Sequence, residues 1–106
     1  MLKDDLLLRL KHRHAGARNA AASGELSAAL NTNDRAVRDA VNALRQDGCP
    51  ICSGDGGYYY AVTPDELRAT IAQLMSRIRF ISLAVKGLRR ALTDMESQDQ
   101  TRFPID

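Results

Sequence analysis

The chain has 106 residues, of which 44% are apolar and 26% charged, and its formal net charge is +2. This length and composition predict one small soluble domain with an appendage and exclude a wholly disordered chain. No apolar run approaches the roughly 20 residues of a membrane span, and the acidic start differs from a secretory signal, so we expect a cytoplasmic protein. Two cysteines are too few for a secreted disulfide framework.

The first predicted element is a helix over residues 4–12. Its apolar residues, which we expect to face the core, are Leu6, Leu7, Leu8 and Leu10. Residues 15–23 are mostly small and show no apolar periodicity. They predict a loop or a frayed helix end.

Two further helices are predicted over residues 25–30 and 34–46. Apolar spacing predicts that the inward side chains of the first are Leu26, Ala29 and Leu30. In the second helix the predicted inward side chains are Val37, Ala40, Val41 and Leu44.

The polar turn Asn31-Thr32-Asn33 separates these two helices. Ser23 is a suitable cap for the first helix, and Thr32 or Asn33 for the second, because their side-chain oxygens can accept hydrogen bonds from free backbone N–H groups. Gly48 is expected to end the second helix in a left-handed conformation.

A β-hairpin is predicted next, with strands over residues 51–53 and 58–62. The intervening Gly54-Asp55-Gly56-Gly57 is typical of a hairpin turn that needs positive φ. Side chains alternate across a strand, so one or two of the three consecutive tyrosines, residues 58–60, must face the core.

A long helix is predicted from Thr63-Pro64-Asp65-Glu66, a capping box with proline at the first helical position. Beyond it, apolar residues recur at alternating spacings of four and three, which is a heptad seam. The seam residues are Leu67, Ile71, Leu74, Ile78, Ile81, Val85, Leu88, Leu92 and Met95. We therefore predict a head of residues 1–63, a heptad helix of residues 64–96 and a flexible tail of residues 97–106.

The heptad helix predicts a homodimer, because its length of about 45 Å is too great for so small a head to cover. The expected dimer interface comprises Leu67, Ile71, Leu74, Ile78, Ile81, Val85, Leu88 and Leu92. The flanking positions from Arg68 to Ala91 offer no complementary charge pairs, so parallel and antiparallel dimers both stay open. The alternative is a helix that breaks near Gly87 and folds back on the head.

A short helix, a three-residue turn and a second helix form a helix-turn-helix. Residues 26–38, 41–48 and 50–60, the last supplying the hairpin as a wing, resemble the winged helix-turn-helix domain of the biotin-repressor type and of related prophage regulators. The resemblance implies a mostly α fold with a small β-hairpin wing, here followed by a long C-terminal dimerisation helix. It also implies a small DNA-binding protein, a transcriptional or prophage regulator, with residues 34–46 as the recognition helix.

The resemblance further implies that the outward face of the recognition helix binds double-stranded DNA. Arginine can hydrogen-bond to both major-groove acceptors of guanine, and asparagine can pair with adenine. The expected DNA-binding residues are Thr32, Asn33, Arg35, Arg38, Asn42 and Arg45. Phosphate contacts are also expected from Lys11, Arg13 and Arg18. The wing carries Asp55 and no base, so we expect no minor-groove contact from it.

Two other interpretations compete with DNA binding. The arginines of the second helix could form a solvated face paired with Asp34, Asp39 and Asp47. Separately, the domain could be a winged-helix module for protein–protein interaction that does not bind DNA.

A third interpretation is a zinc or redox switch built on Cys49 and Cys52, with His12 and His14 as further zinc ligands. The cysteines would open a strand, which is not the context of a thioredoxin-like motif. The chain contains no phosphate-binding loop and no catalytic constellation. We therefore expect no enzyme activity, no metal, no cofactor and no small-molecule substrate.

Overall fold

The structure, a computed structural model, describes residues 1–102, with side chains placed through Asp99. In that range its elements are α1 (Leu2–Arg13), a 3-10 turn (Ala17–Asn19), α2 (Ser23–Ala29), α3 (Asp34–Gln46), β1 (Ile51–Gly54), β2 (Gly57–Tyr60) and α4 (Pro64–Arg102). The protein is mostly helical, with a small antiparallel hairpin and a long C-terminal helix, as the sequence predicts. It divides into an N-terminal unit of residues 1–71 and a second unit from residue 72 onward.

The leucines of α1 follow the helical period. Leu6 and Leu10, one turn apart, are fully buried, and Leu7 is half-buried. Leu8, which the sequence analysis places inward, is 54% exposed. That prediction is wrong because a residue two positions after Leu6 lies about 200° around the helix.

The bounds of α3 agree with the sequence prediction. The Asn33 side chain caps its start, where Oδ1 accepts a hydrogen bond from the Ala36 N–H at 2.9 Å. At its end Gly48 has a φ of +90° and donates its N–H to the Arg45 carbonyl at 3.0 Å, the left-handed stop expected of glycine. The buried side chains are those predicted, namely Val37, Ala40, Val41 and Leu44.

Two details of α2 differ from the sequence prediction. The cap residue is Ala22, and Ser23 is the first helical residue, with no side-chain capping bond. Ala29 is exposed, whereas Leu26 and Ser27 are buried. A seven-residue helix contacts the core through little more than one turn. Ala29 lies about 200° around the helix from the buried Ser27, whereas Leu30 packs against the core, so the sequence analysis misplaces only Ala29.

The segment between α1 and α2 is not the structureless loop that the sequence predicts. Ala21 and Tyr58 exchange both backbone hydrogen bonds, at 2.8 and 2.9 Å. Ala15 forms a bridge with Tyr60, and Gly16 donates its N–H to the Tyr60 carbonyl at 2.8 Å. The segment thus pairs with β2 along the side that β1 leaves free. Pairing of this kind is long-range, so local periodicity does not reveal it.

The hairpin has a fixed register, with Ile51 opposite Tyr60 and Gly54 opposite Gly57. Of the turn glycines only Gly57 has a positive φ, +116°. A Cβ at Gly57 would also collide with the Ala21 carbonyl, so both conformation and space require glycine there. Tyr59 is buried, and burial raises the pKa of its hydroxyl above the usual value.

The start of α4 confirms the predicted capping box. The Glu66 N–H donates to Thr63 Oγ1 at 3.2 Å, and Glu66 Oε1 accepts the Thr63 N–H at 3.3 Å. Glu66 also accepts the N–H groups of Val62 at 2.8 Å and of Ala17 at 2.9 Å. The same carboxylate therefore fixes both the helix start and the 3-10 turn.

The helix is longer than predicted and is not interrupted. It passes through Gly87 without a break and continues to Arg102, six residues beyond the predicted end at residue 96. Residues 97–102 contain no glycine or proline, so nothing in them stops a helix. The remaining part of the predicted flexible tail, residues 103–106, lies outside the described residues.

Candidate nucleic-acid interface

The outward face of α3 carries the polar side chains that the sequence analysis assigns to base recognition. Arg35, Arg38 and Asn42 are all exposed, and their spacing of three and four places them on one stripe of the helix. The opposite stripe is buried in the core of the N-terminal unit. We call this exposed set the α3 stripe. Packing on the buried side holds its three side chains on a rigid element.

Two of the three acids in α3 or directly after it are engaged with residues other than the stripe arginines. Asp34 Oδ1 lies 3.0 Å from the buried Ser27 hydroxyl. Asp47 forms an ion pair with Lys3 at 2.5 Å, and this hydrogen bond raises the pKa of Lys3. Both carboxylates help to hold α3 against neighbouring helices.

The third acid, Asp39, is exposed beside the stripe. Among the described side chains, no ion pair joins Arg35 or Arg38 to any acid. The interpretation of a self-paired, solvated face therefore does not describe the stripe arginines. Their charge is available to an anion outside the chain.

Arg45 differs from the other two arginines of α3. It is half-buried, and its Nε donates to the Ile51 carbonyl at 2.9 Å while Nη2 donates to Ser53 Oγ at 3.1 Å. The side chain therefore connects α3 to β1. Its predicted DNA contact receives no support from this geometry, since the guanidinium serves the packing of the hairpin.

The turn before α3 also uses part of the hydrogen-bonding capacity that the sequence analysis assigns to phosphate. The Thr32 N–H donates to the Ser27 carbonyl at 2.8 Å, and Thr32 is half-buried. Asn33 is exposed but its Oδ1 serves as the helix cap. Asn31 makes the turn possible, with a φ of +55° that asparagine tolerates better than most residues.

Further positive charge lies on the N-terminal unit. Lys11 and Arg13 at the end of α1, and Arg18 in the 3-10 turn, are exposed. Between Arg45 and Arg68 the chain contains no lysine or arginine, so the hairpin contributes only Asp55 and no positive charge at its tip.

The two cysteines and two histidines do not form a metal-binding geometry. Among the residues that the structure describes, no three His, Cys, Asp or Glu side chains are arranged to hold a metal ion. Cys52 is fully buried in β1, and Cys49 is half-buried. His14 is buried, and its Nδ1 lies 2.8 Å from the Asn19 carbonyl.

Sequence reasoning missed the residues that join the segment between α1 and α2 to the rest of the unit. His14, through its bond to Asn19, and Glu66, through its bond to Ala17, both hold that segment. The capping-box motif predicted the local bonds of Glu66. No sequence signal indicated that the other carboxylate oxygen reaches a residue 49 positions away.

The predicted dimer interface is a second candidate surface. Leu67 and Leu74 are half-buried, and the six other predicted residues are exposed, namely Ile71, Ile78, Ile81, Val85, Leu88 and Leu92. Met95, on the same seam, and Met75, Phe80 and Leu83, beside it, are exposed as well.

No family model, curated protein or solved structure matches the chain. Within residues 1–102, none of the helices has both the length and the apolar character needed to cross a bilayer.

Proposed function

We propose that this chain is a DNA-binding protein of the winged helix-turn-helix type, and that α3 is its recognition helix. The observation that carries the proposal is the α3 stripe, in which Arg35 and Arg38 have no acidic partner among the described residues and Asn42 continues the same face. A rigid helix that presents two free guanidinium groups and an amide has the chemistry of major-groove recognition.

The order of elements supports the same proposal. A short helix, α2, is followed by a tight turn and the longer α3, and the hairpin of β1 and β2 comes directly afterwards. In a helix-turn-helix the second helix enters the major groove while the first crosses the backbone. The hairpin would be the wing, although its acidic tip favours a packing role over a groove contact.

The roles of the stripe residues follow from their chemistry. Arg35 and Arg38 lie in the first two turns of α3, where a recognition helix reaches base edges, and each can fork to O6 and N7 of guanine. Asn42 is placed one turn further on to pair with N6 and N7 of adenine. The exposed Lys11, Arg13 and Arg18 would contribute phosphate contacts that add affinity without sequence preference.

The proposal includes a homodimer held together by α4, and a role in transcriptional or prophage regulation. Two copies would present two recognition helices, and the DNA half-sites would lie about one helical turn, or a multiple of it, apart. The exposed apolar seam of α4 is the observation that supports the dimer.

Fluorescence anisotropy with a labelled mixed-sequence duplex, from about 50 to 200 mM salt, tests the proposal. We expect micromolar affinity that falls steeply with salt, because each neutralised phosphate releases counterions. The variant Arg35→Glu/Arg38→Glu should lose this binding.

The matched control is Arg79→Glu/Arg90→Glu, which makes the same change in charge at exposed positions of α4 that lie off the apolar seam. It should retain most of the affinity. Equal loss in both variants would mean that net charge, not the α3 stripe, drives binding. No binding by the parent at the lowest salt would overturn the proposal in favour of a protein-interaction module.

A further inference from the structure

The apolar side chains of α4 remain open to solvent over most of the helix. Ten large apolar side chains between Ile71 and Met95 have exposed fractions from 40% to 70%. Monomeric proteins rarely expose an apolar patch of more than a few hundred Å². Exposed apolar surface of this extent marks an interaction site, and an occupant of this one has to match the regular heptad spacing of the seam.

We propose that the occupant is a second copy of this chain whose α4 runs antiparallel, with Arg68 of each subunit beside Glu96 of the partner subunit. The proposal rests on the dimer suggested above, but it does not depend on DNA binding by α3. It adds the direction and the register of the two helices, which the heptad pattern alone leaves open.

Self-pairing fits because the seam is uncharged and has the same period throughout. From Ile71 to Met95 the seam contains only leucine, isoleucine, valine and methionine. When the two-fold axis passes near Leu83, every seam residue in this stretch meets a seam residue of the other helix. The pairs are Ile71 with the partner's Met95, Leu74 with the partner's Leu92, Ile78 with the partner's Leu88, and Ile81 with the partner's Val85.

The charges beside the seam select the antiparallel direction. In this register Arg68 and Glu96 of the partner subunit occupy equivalent flanking positions within two residues, or about 3 Å, of the same level, and the symmetry repeats the pair at the other end. Both side chains are exposed, and among the described side chains Arg68 forms an ion pair with Asp65 alone, exposed and at 2.7 Å. Opposite charges at such positions set partner and orientation in coiled coils.

A parallel, in-register pair lacks these contacts. At its facing flanking positions Arg77 of one helix meets Ser82 of the other and Ala91 meets Glu96, and no facing pair combines opposite charges. It also places Asp99, the next seam position after Met95, against its own copy. Like charges at that level oppose association, whereas the antiparallel register places Asp99 opposite Leu67.

Spin-label distances test the direction in the full chain. The exposed Thr93 is replaced by cysteine in a Cys49→Ser background, in which Cys52 remains buried and inaccessible to the label. In the antiparallel dimer the two labels lie about 30 Å apart along the axis, from 1.5 Å per residue. In a parallel dimer they lie at the same level, below about 20 Å apart, since paired helices are 8–10 Å apart.

A label at Ser82→Cys, an exposed position that flanks the seam near the two-fold axis, is the positive control, because it gives a short distance in either direction. A long distance at position 93 with a short one at position 82 supports the proposal. Short distances at both positions overturn the antiparallel direction. A mass of one chain, or of more than two, in light scattering at about 100 µM overturns the pairing itself. None of these results bears on the anisotropy test of α3, so the two proposals fail separately.

A charge exchange tests the register. Glu96→Arg should weaken dimerisation about three- to tenfold at low salt, because two surface pairs are lost and two repulsions are gained. Adding Arg68→Glu in the same chain should restore the affinity. Asp94→Arg, which makes the same change in charge at a position that faces away from the seam, should have no effect. Failure of the double variant to recover in sedimentation equilibrium overturns the Arg68–Glu96 register.

Discussion

The N-terminal unit and the part of α4 beyond residue 71 have similar apolar side chains in opposite environments. Leu44 in α3 is 1% exposed, whereas Leu88 in α4 is 70% exposed. The first unit buries its own apolar core, whereas the second leaves most of its large apolar side chains exposed. The difference indicates that apolar packing within the unit stabilises the first, whereas such packing contributes little within the second.

The same substitution at Leu44 and Leu88 tests this difference in environment directly. Leu44→Ala should lower the free energy of unfolding of the N-terminal unit by about 2–5 kcal/mol, because it leaves a cavity in the core. Leu88→Ala should leave that unfolding unchanged and weaken only the association of α4. Urea titrations followed by tyrosine fluorescence report on the N-terminal unit, since all three tyrosines lie at residues 58–60. An equal loss in both variants would contradict the comparison.

Polar substitutions on the seam should weaken the dimer, whereas polar substitutions away from the seam should not. Ile78→Asn/Ile81→Asn should weaken the dimer at least a hundredfold, or about 3 kcal/mol, because four apolar side chains per dimer are replaced by amides. Phe80→Asn/Leu83→Asn, which alters exposed residues on the helix face away from the seam, should retain the dimer. Light scattering across a dilution series measures both. An unchanged dimer mass in the first variant would rule out the seam as the interface.

The sequence predicted α3 closely because everything that defines that helix is local. Asn33 caps it, Gly48 ends it, and one apolar stripe with the helical period faces the core. The segment between α1 and α2 failed for the opposite reason. Its structure comes from backbone pairing with β2, and the residues around Ala21 show no sequence pattern that predicts this pairing.

The candidate site was predictable in part for the same reason. Arg35, Arg38 and Asn42 followed from the helical period, which fixes the outward face once the inward face is known. Arg45 did not, because only the fold brings the Ile51 carbonyl within reach of its guanidinium. The partners of Asp34 and Asp47 also depend on contacts between elements, so the sequence could not show that both acids are engaged away from the arginines.

Alanine substitutions at two glycines of the N-terminal unit should change its stability in opposite directions. Gly57→Ala should cost about 1–3 kcal/mol, because φ is +116° and the new methyl group would meet the Ala21 carbonyl. Gly24→Ala should instead stabilise the unit by about 0.5–1 kcal/mol, since Gly24 lies in α2 with no atom near the added group. Thermal unfolding of both variants checks the difference in sign. A neutral Gly57→Ala would mean that the pairing of β2 with the preceding segment is loose.

The hydrogen bonds of Glu66 at the start of α4 should make the stability of the N-terminal unit depend weakly on pH. Backbone N–H bonds from Val62, Ala17 and Thr63 lower the pKa of the Glu66 carboxyl, so its ionised form favours the folded state. That stabilisation is present above the ordinary glutamate pKa of roughly 4.3 and is lost as the pH falls through the lower pKa of the folded state. Glu66→Gln should therefore reduce the Tm slightly at pH 7 and have a smaller effect at pH 3.

The effect is small because a glutamine can still complete the capping box, although without the charge. Asp65→Asn is the matched control, because it removes a charge from the same turn but only one exposed ion pair, with Arg68. Thermal unfolding from pH 3 to pH 7 should show the larger change in slope for Glu66→Gln. If the two variants give the same slope, helix-end charge alone accounts for the acid sensitivity. The bond from Ala17 would then contribute nothing to the attachment of the 3-10 turn to α4.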